Sequence, residues 1–207
     1  SSVTLSICKQ KGYIIDAISF DYGQKHKIEL EYAKWQAKSF NCFSYRVFKI
    51  DFYGGSALTD DFKVPENRKV DLIPDSIPIT YVPSRNIVFL SFASGYAEAN
   101  NIDNIFIGVN AVDYSGYPDC RPDYIKKFQE LANLANKRGR EEKPIKLWTP
   151  LIDLNKEEII QLAFNNNVPL DKTWSCYSGN SEPCGKCDSC RIRNEACRKW
   201  YKKRGRT

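Results

Sequence analysis

Short β-rich runs and longer helical stretches take turns along most of this 207-residue chain, and that order constrains its fold more than any other feature. The runs are IIDAISF (14–20), FSYRVFKI (43–50) and NIFIGV (104–109). Between and around them lie helical stretches. SSVTLSICKQKG ends in the basic turn and glycine of a helix terminus, at Lys9, Lys11 and Gly12. HKIELEYAKWQAKSF (26–40) sets Ile28, Tyr32, Trp35 and Phe40 on or near one face. Further helices are predicted at 87–99, about 122–138 and 155–165. This alternation predicts an α/β domain, a Rossmann-like parallel sheet with helices on both faces. The expected division is an α/β domain over 1–170 and a helical and loop metal-binding segment over 171–207. A polar stretch with several prolines, 53–83, reads as an excursion from the core. Parallel α/β units hold phosphates where a strand ends and a helix begins. The first helix here has no strand before it, so a strand and phosphate loop upstream of Ser1 are expected.

Charge and composition narrow the function classes. Residues 185–207 hold nine Lys/Arg against two Asp/Glu, which leaves 22 against 23 for residues 1–184. The net charge of +6 is therefore a property of the tail, and a nucleic-acid surface across the body is not indicated. The longest apolar stretch, IVFLSFASGYA (87–97), falls short of a membrane span. A cytoplasmic protein is expected. Eight cysteines are too few for a disulfide scaffold, and half of them are clustered.

That cluster is CYSGNSEPCGKCDSC, with Cys176, Cys184, Cys187 and Cys190. Four thiolates around Zn²⁺ make a closed structural site with no open position for an attacking water. An iron–sulfur cluster is the competing ligand, but those motifs commonly close with C-x-x-x-C-P, and here Arg191 follows Cys190. Lys186, Arg191 and Arg193 either neutralise the thiolates or, with the tail, contact nucleic acid.

Three further stretches carry candidate chemistry. FDYGQKH (20–26) sits at a strand's carboxyl end and is either a nucleotide-binding edge or an ordinary strand-to-helix turn; His26, the one histidine, reads as structural. In YVPSRN (81–86), Ser84 or Asn86 would cap the next helix and place Arg85 at its amino terminus. GVNAVDYSGYPDCRPDY (108–124) holds about a dozen residues without apolar periodicity, and long irregular loops in compact domains are usually functional. Its Asp113, Tyr114, Ser115, Tyr117, Asp119 and Arg121 suit recognition of a flat heterocycle, whereas Cys120 lacks a nearby base and reads as packing.

Taken together, SFDYGQKHKIELEYA, YVPSRNIVFLSFA, GVNAVDYSGYPDCRPDYI, TPLIDLNKEEI and the four-cysteine stretch resemble the 7-cyano-7-deazaguanine synthase family, in that order and nearly end to end. The resemblance implies an adenine nucleotide alpha hydrolase-like sheet and a ligase of the PP-loop ATP pyrophosphatases. Such an enzyme converts 7-carboxy-7-deazaguanine and ammonia to the nitrile with ATP and Mg²⁺, beside a structural Zn²⁺, as a homodimer. By position, Ser1, Ser2, Val3, Thr4 and Leu5 would close the phosphate loop. Phe20, Asp21, Tyr22 and Gln24 would meet the adenosine, and Arg85, Asp113, Asp119 and Arg121 would act on the substrates. Two other functions are weighed beside it. One is a zinc-knot RNA-binding protein. The other is a tRNA-thiolating relative, which would need a persulfide on Cys120 or Cys197.

Overall fold

The computed structural model describes residues 1–69, 76–110 and 116–205. Its elements run α1 (Ser2–Gln10), β1 (Asp16–Asp21), α2 (Ile28–Ser39), β2 (Ser44–Lys49), α3 (Arg85–Ala99), β3 (Asn104–Phe106), α4 (Pro122–Ala135), α5 (Lys137–Arg140), β4 (Lys146–Trp148), α6 (Lys156–Asn165) and α7 (Asp188–Lys202). The fold is α/β, as the alternation predicts, and every strand pairing is parallel. β1 pairs with β2 from Asp16↔Ser44 to Asp21↔Lys49. β3 pairs with β4 from Asn104↔Lys146 to Phe106↔Trp148. Each pair is closed by a helical crossover, as parallel neighbours require: α2 joins the first, α4 and α5 the second. Among the described residues these are two separate two-stranded sheets, and both β1 and β3 line the cleft between them.

α3 ties the two pairs together. On one side Leu90 joins Val109, Cys120, Ile125 and Phe128 in a buried cluster. On the other, Val88 and Phe89 pack on Tyr22, Ile50, Leu58 and Val82. Each fully buried side chain of this size contributes about 1.5–3 kcal/mol against exposure. The second half of the chain is anchored through α6, whose amino terminus carries a full capping box: the Asn155 side chain accepts from Glu158 N at 2.9 Å, and the Glu158 carboxylate accepts from Asn155 N at 2.8 Å. Ala163 and Ile159 face Val3 of α1, while Ile160 faces Ala196 and Trp200 of α7. Phe164 stacks on Trp200 at 3.7 Å, so the carboxyl-terminal segment shares a core with α6.

The stretch 53–83 is less of an excursion than its prolines suggest. Leu58 is 1% exposed and belongs to the cluster around Tyr22. Its backbone is pinned at Leu58 O by Lys25 N and at Ile79 O by Ala57 N, both at 2.8 Å. It then reaches the cysteine segment, where Glu66 forms an antiparallel bridge with Cys187 and Asn67 N donates to Lys186 O. Arg68 pairs there with the buried Asp188 carboxylate. Arg68 and Asp188 thus clamp residues from distant parts of the chain together.

Candidate active site

The cleft between the strand pairs is about 1040 Å³ and is walled by β1, β3, α3 and the start of α1. Its most polar end gathers around Arg85. The guanidinium donates to the Tyr22 hydroxyl at 3.2 Å and lies over the Tyr22 and Phe89 rings, at 5.7 and 6.0 Å from their centroids. Its Nε is buried and finds no hydrogen-bond partner among the described residues. Burial disfavours its charge, but Tyr22 and Tyr117, with Asp119, outweigh that and hold it more firmly protonated than usual. Burial pushes the Tyr22 hydroxyl the other way, up to about 12, so it stays a neutral donor. Around this cation stand further hydroxyls. Tyr117 Oη lies 3.0 Å from Thr80 Oγ1 and 3.5 Å from Tyr177 Oη, and Tyr53 Oη is buried without a partner. A fixed cation ringed by phenols suits a planar, hydrogen-bonding anion.

The start of α3 explains why Arg85 sits there. Ser84 occupies the N-cap position at φ 53°, in the left-handed region, and its side chain makes no capping bond. The cap comes instead from across the cleft wall: Asp119 Oδ2 accepts from Asn86 N at 2.9 Å. The Asn86 side chain replies, donating to Asp119 O at 3.1 Å and to Cys120 Sγ at 3.2 Å. Asp119 is only 5% exposed, and its carboxylate is thus occupied in joining the 116–121 loop to α3.

At the other end, α1 points its amino terminus at the same cleft. Ser1, the N-cap, makes no side-chain capping bond, and Ser1, Ser2, Thr4 and Leu5 line the space with Asn110 and Lys156. Thr4 Oγ1 is buried without a hydrogen-bond partner among the described residues. β3 leads straight to this point, because a Cβ at Gly108 would lie 2.9 Å from Ser1 N and 3.0 Å from Thr4 Oγ1. A helix amino terminus beside a buried hydroxyl suits a phosphate.

The four cysteines converge as their spacing predicts. The Sγ atoms of Cys176, Cys184, Cys187 and Cys190 all lie within 4.8 Å of one another, an arrangement able to hold a metal ion. A tetrahedron of thiolates with about 2.3 Å metal–sulfur bonds needs sulfurs about 3.8 Å apart, close to this spread. Backbone amides already point at the sulfurs: Ser178 N and Cys184 N donate to Cys176 at 3.3 Å, and Cys187 N to Cys184 at 3.3 Å. Burial opposes ionisation of Cys184, but the Cys187 and Lys186 amides outweigh it and lower its thiol, whereas burial raises those of Cys187 and Cys190. The donor set fits a thiolate-ligated metal. Lys186 N is itself turned toward Cys184 Sγ, at 3.4 Å. Arg193 is engaged elsewhere, donating to Thr173 O at 3.0 Å and to Leu170 O.

The remaining candidates separate by position. Phe20 and Tyr22 line the cleft, but Asp21 does not. Asp21 accepts from Gly23 N at 3.3 Å and pairs with Lys27 at 3.1 Å; burial works against its charge, yet Lys27 and the Gly23 amide hold the carboxyl below its ordinary range. Gln24 is 1% exposed and braces the turn, accepting from Tyr22 N at 2.7 Å and donating to Phe20 O at 3.0 Å. Val3 is core, packed with Leu151 and Val168. Arg121 is exposed, 3.7 Å from Asp123, and does not line the cleft. Asp113, Tyr114 and Ser115 lie outside the described residues. Sequence reasoning passed over Thr80, Tyr53 and Tyr177. Tyr177 had a usable signal, since a phenol beside a metal-ligating cysteine is held rigidly.

The other two functions fare less well on this geometry. Burial, with Asp119 beside it, pushes the Cys120 thiol up to about 11, and burial raises Cys197 as well, so neither resembles a reactive thiolate. The basic tail is largely engaged within the protein: Lys203 pairs with Glu157, Lys199 with Glu195, and Arg204 donates to Gln161 while covering Trp200. No helix among the described residues is long and apolar enough to cross a membrane.

Comparison with known proteins agrees with this arrangement. Residues 1–201 match the family model described as queuosine biosynthesis protein QueC. A protein of Prochlorococcus marinus subsp. pastoris is 62% identical over 207 residues, covering 99% of this chain and 91% of its own. A protein of Nostoc punctiforme is 53% identical over 196 residues, covering 93% and 88%, and one of Acetivibrio thermocellus is 52% identical over 194 residues, covering 93% and 86%. All three are named 7-cyano-7-deazaguanine synthase. With a family match over almost its whole length and relatives of this similarity, the chain belongs to the QueC family of queuosine biosynthesis proteins.

Proposed function

We propose that this protein is an ATP-dependent ligase that converts 7-carboxy-7-deazaguanine and ammonia to 7-cyano-7-deazaguanine. The observation that carries the reading is one cleft with two different anion sites: a buried, phenol-ringed Arg85 at one end and the first turn of α1, with Thr4, at the other. A carboxylate oxygen is a poor leaving group and AMP a good one, so an adenylated carboxylate can accept ammonia to give the amide. Adenylation of the amide oxygen then allows elimination to the nitrile. Arg85 and the hydroxyls of Tyr22, Tyr117 and Tyr177 hold the deazaguanine carboxylate against the nucleotide. Thr4 and the amides of α1 hold the phosphates. Mg²⁺, bound with ATP, supplies charge neutralisation on the pyrophosphate as it departs. Asp119 keeps Arg85 in place, and Asp113 and Arg121 act on the substrate, as the family resemblance implies.

The metal held by Cys176, Cys184, Cys187 and Cys190 is Zn²⁺, in a closed structural site. It is supported by the amide-to-sulfur bonds and by the packing of this segment on the active-site turn. A Cβ at Gly179 would lie 2.5 Å from Lys25 O. Replacing Cys187 by Ser is expected to release zinc and lower solubility; a stable, zinc-free and fully active variant would refute the structural role. The unpaired cysteines support a cytoplasmic enzyme. Leu131 and Leu134, exposed on α4, offer an apolar face for a homodimer.

The direct test incubates the full-length protein with 7-carboxy-7-deazaguanine, ATP, Mg²⁺ and ammonium and follows products by mass spectrometry. Nitrile and AMP are expected together. Folded, zinc-loaded protein that yields neither would overturn the reading.

A further inference from the structure

Every N–H proton of ammonia must leave before its nitrogen becomes a nitrile, and none of the residues assigned above is a base. One buried group lining the same cleft meets the requirement. His26 is 5% exposed, and its Nε2 lies 3.4 Å from Glu29 Oε2. Glu29 is fixed in turn, since its Oε1 accepts from Gln24 Nε2 at 2.9 Å. The Gln24 side-chain oxygen accepts from Tyr22 N at 2.7 Å, so the chain of bonds runs from the backbone of the FDYG turn to the imidazole. A carboxylate at Nε2 selects the tautomer with the proton there and leaves Nδ1 as an acceptor. That Nδ1 is buried and has no hydrogen-bond partner among the described residues. Leaving such an atom unpaired is costly, and an arriving donor removes that cost.

The imidazole is also in the right neighbourhood. Its ring centroid lies 6.3 Å from that of Tyr177, whose hydroxyl is 3.5 Å from Tyr117 Oη beside Arg85. Orienting carboxylate, imidazole with a free acceptor nitrogen, and a polar cleft form the arrangement by which a histidine is set up to take a proton.

We propose that His26, oriented by Glu29 and Gln24, is the general base of ammonia capture. The inference rests on the ligase reading above. Ammonia's nitrogen attacks the carbonyl carbon of the acyl adenylate and the C–N bond forms. The nitrogen, now ammonium-like, gives one proton to His26 Nδ1. The bond from that carbon to the AMP oxygen breaks, and AMP leaves with the electron pair. The imidazolium is held by the Glu29 carboxylate until it returns its proton to solvent. Adenylate formation itself needs no such base, because the attacking carboxylate carries no proton.

Two half-reactions separate this role from a structural one. Substrate-dependent exchange of labelled pyrophosphate into ATP, without ammonia, reports adenylation. Amide and nitrile formation from ¹⁵N-ammonium reports capture. In His26→Gln, exchange is expected within about twofold of wild type while capture falls about 100-fold or more. Glu29→Gln provides the control should His26→Gln not fold: a carboxamide N–H facing Nε2 moves the ring proton to Nδ1, and capture falls with the imidazole still present. Capture within about threefold of wild type in a folded His26→Gln protein overturns the proposal. Equal loss of exchange and capture also overturns it, because His26 would then act before ammonia arrives. If wild type itself shows no substrate-dependent exchange, the ligase reading fails instead.

Discussion

Two helix amino termini, those of α1 and α3, open on one cleft, and they are finished in opposite ways. The α3 terminus is closed by the protein's own anion, Asp119, which accepts from Asn86 N. The α1 terminus carries no side-chain cap and keeps Thr4 Oγ1 unpaired. A capped terminus spends its donors on rigidity; an uncapped one keeps them for a ligand. The difference assigns the tasks. On the proposed function, the α3 helix positions a side chain, Arg85, to meet the ligand, while at α1 the backbone is to meet it directly.

The comparison is most easily broken at Arg85. Arg85→Met keeps the length and removes the charge, and should lower kcat/KM by about 100-fold or more, read as AMP release, since a charge-assisted contact in a dry site is lost. Next is its support. Asp119→Ala strips the cap and orphans the buried Asn86 N–H, while the Asn86 side chain keeps the residue-119 carbonyl, so a loss of about 1–2 kcal/mol in a denaturant titration is expected, with catalysis falling as Arg85 loses its anchor. At the open terminus the sign reverses. Thr4→Val removes a hydroxyl that has no hydrogen-bond partner among the described residues, so stability should hold or rise by about 1 kcal/mol while ATP binding weakens about fivefold. The smallest effect lies at Ser84. With φ at 53°, Ser84→Gly should relieve strain and raise stability by about 1 kcal/mol, measured by thermal unfolding.

Much of this was legible in the chain because it is written in local patterns. The three longer strand runs and the helices at α1, α2, α3, α4 and α6 carry apolar period or terminal signals, and the cysteine spacing marks a cluster able to hold a metal ion. β4 was missed because Lys146–Trp148 is three residues long between Pro144 and Pro150, too short to show a period. α7 was expected only as an unplaced helical part of 171–207, because nearly half of Asp188–Lys202 is charged and its buried apolar residues Cys190, Ala196 and Trp200 make a stripe too thin to set its bounds. At the site, YVPSRN marked Arg85, but no local pattern tells that Asp119, 33 residues beyond Asn86, is the cap of α3. Gln24 likewise reads as a ligand contact until its bonds to Tyr22 N and Phe20 O show it holding the turn. Long-range hydrogen bonds decide whether a polar residue is free for chemistry, and sequence spacing does not contain them.

The division of the cleft is tested most directly by calorimetric titration of Arg85→Met and Thr4→Val, each with ATP and with 7-carboxy-7-deazaguanine. The account predicts that Arg85→Met loses the deazaguanine acid and keeps ATP, while Thr4→Val weakens ATP and keeps the acid. Loss of ATP by Arg85→Met with the acid still bound would contradict it.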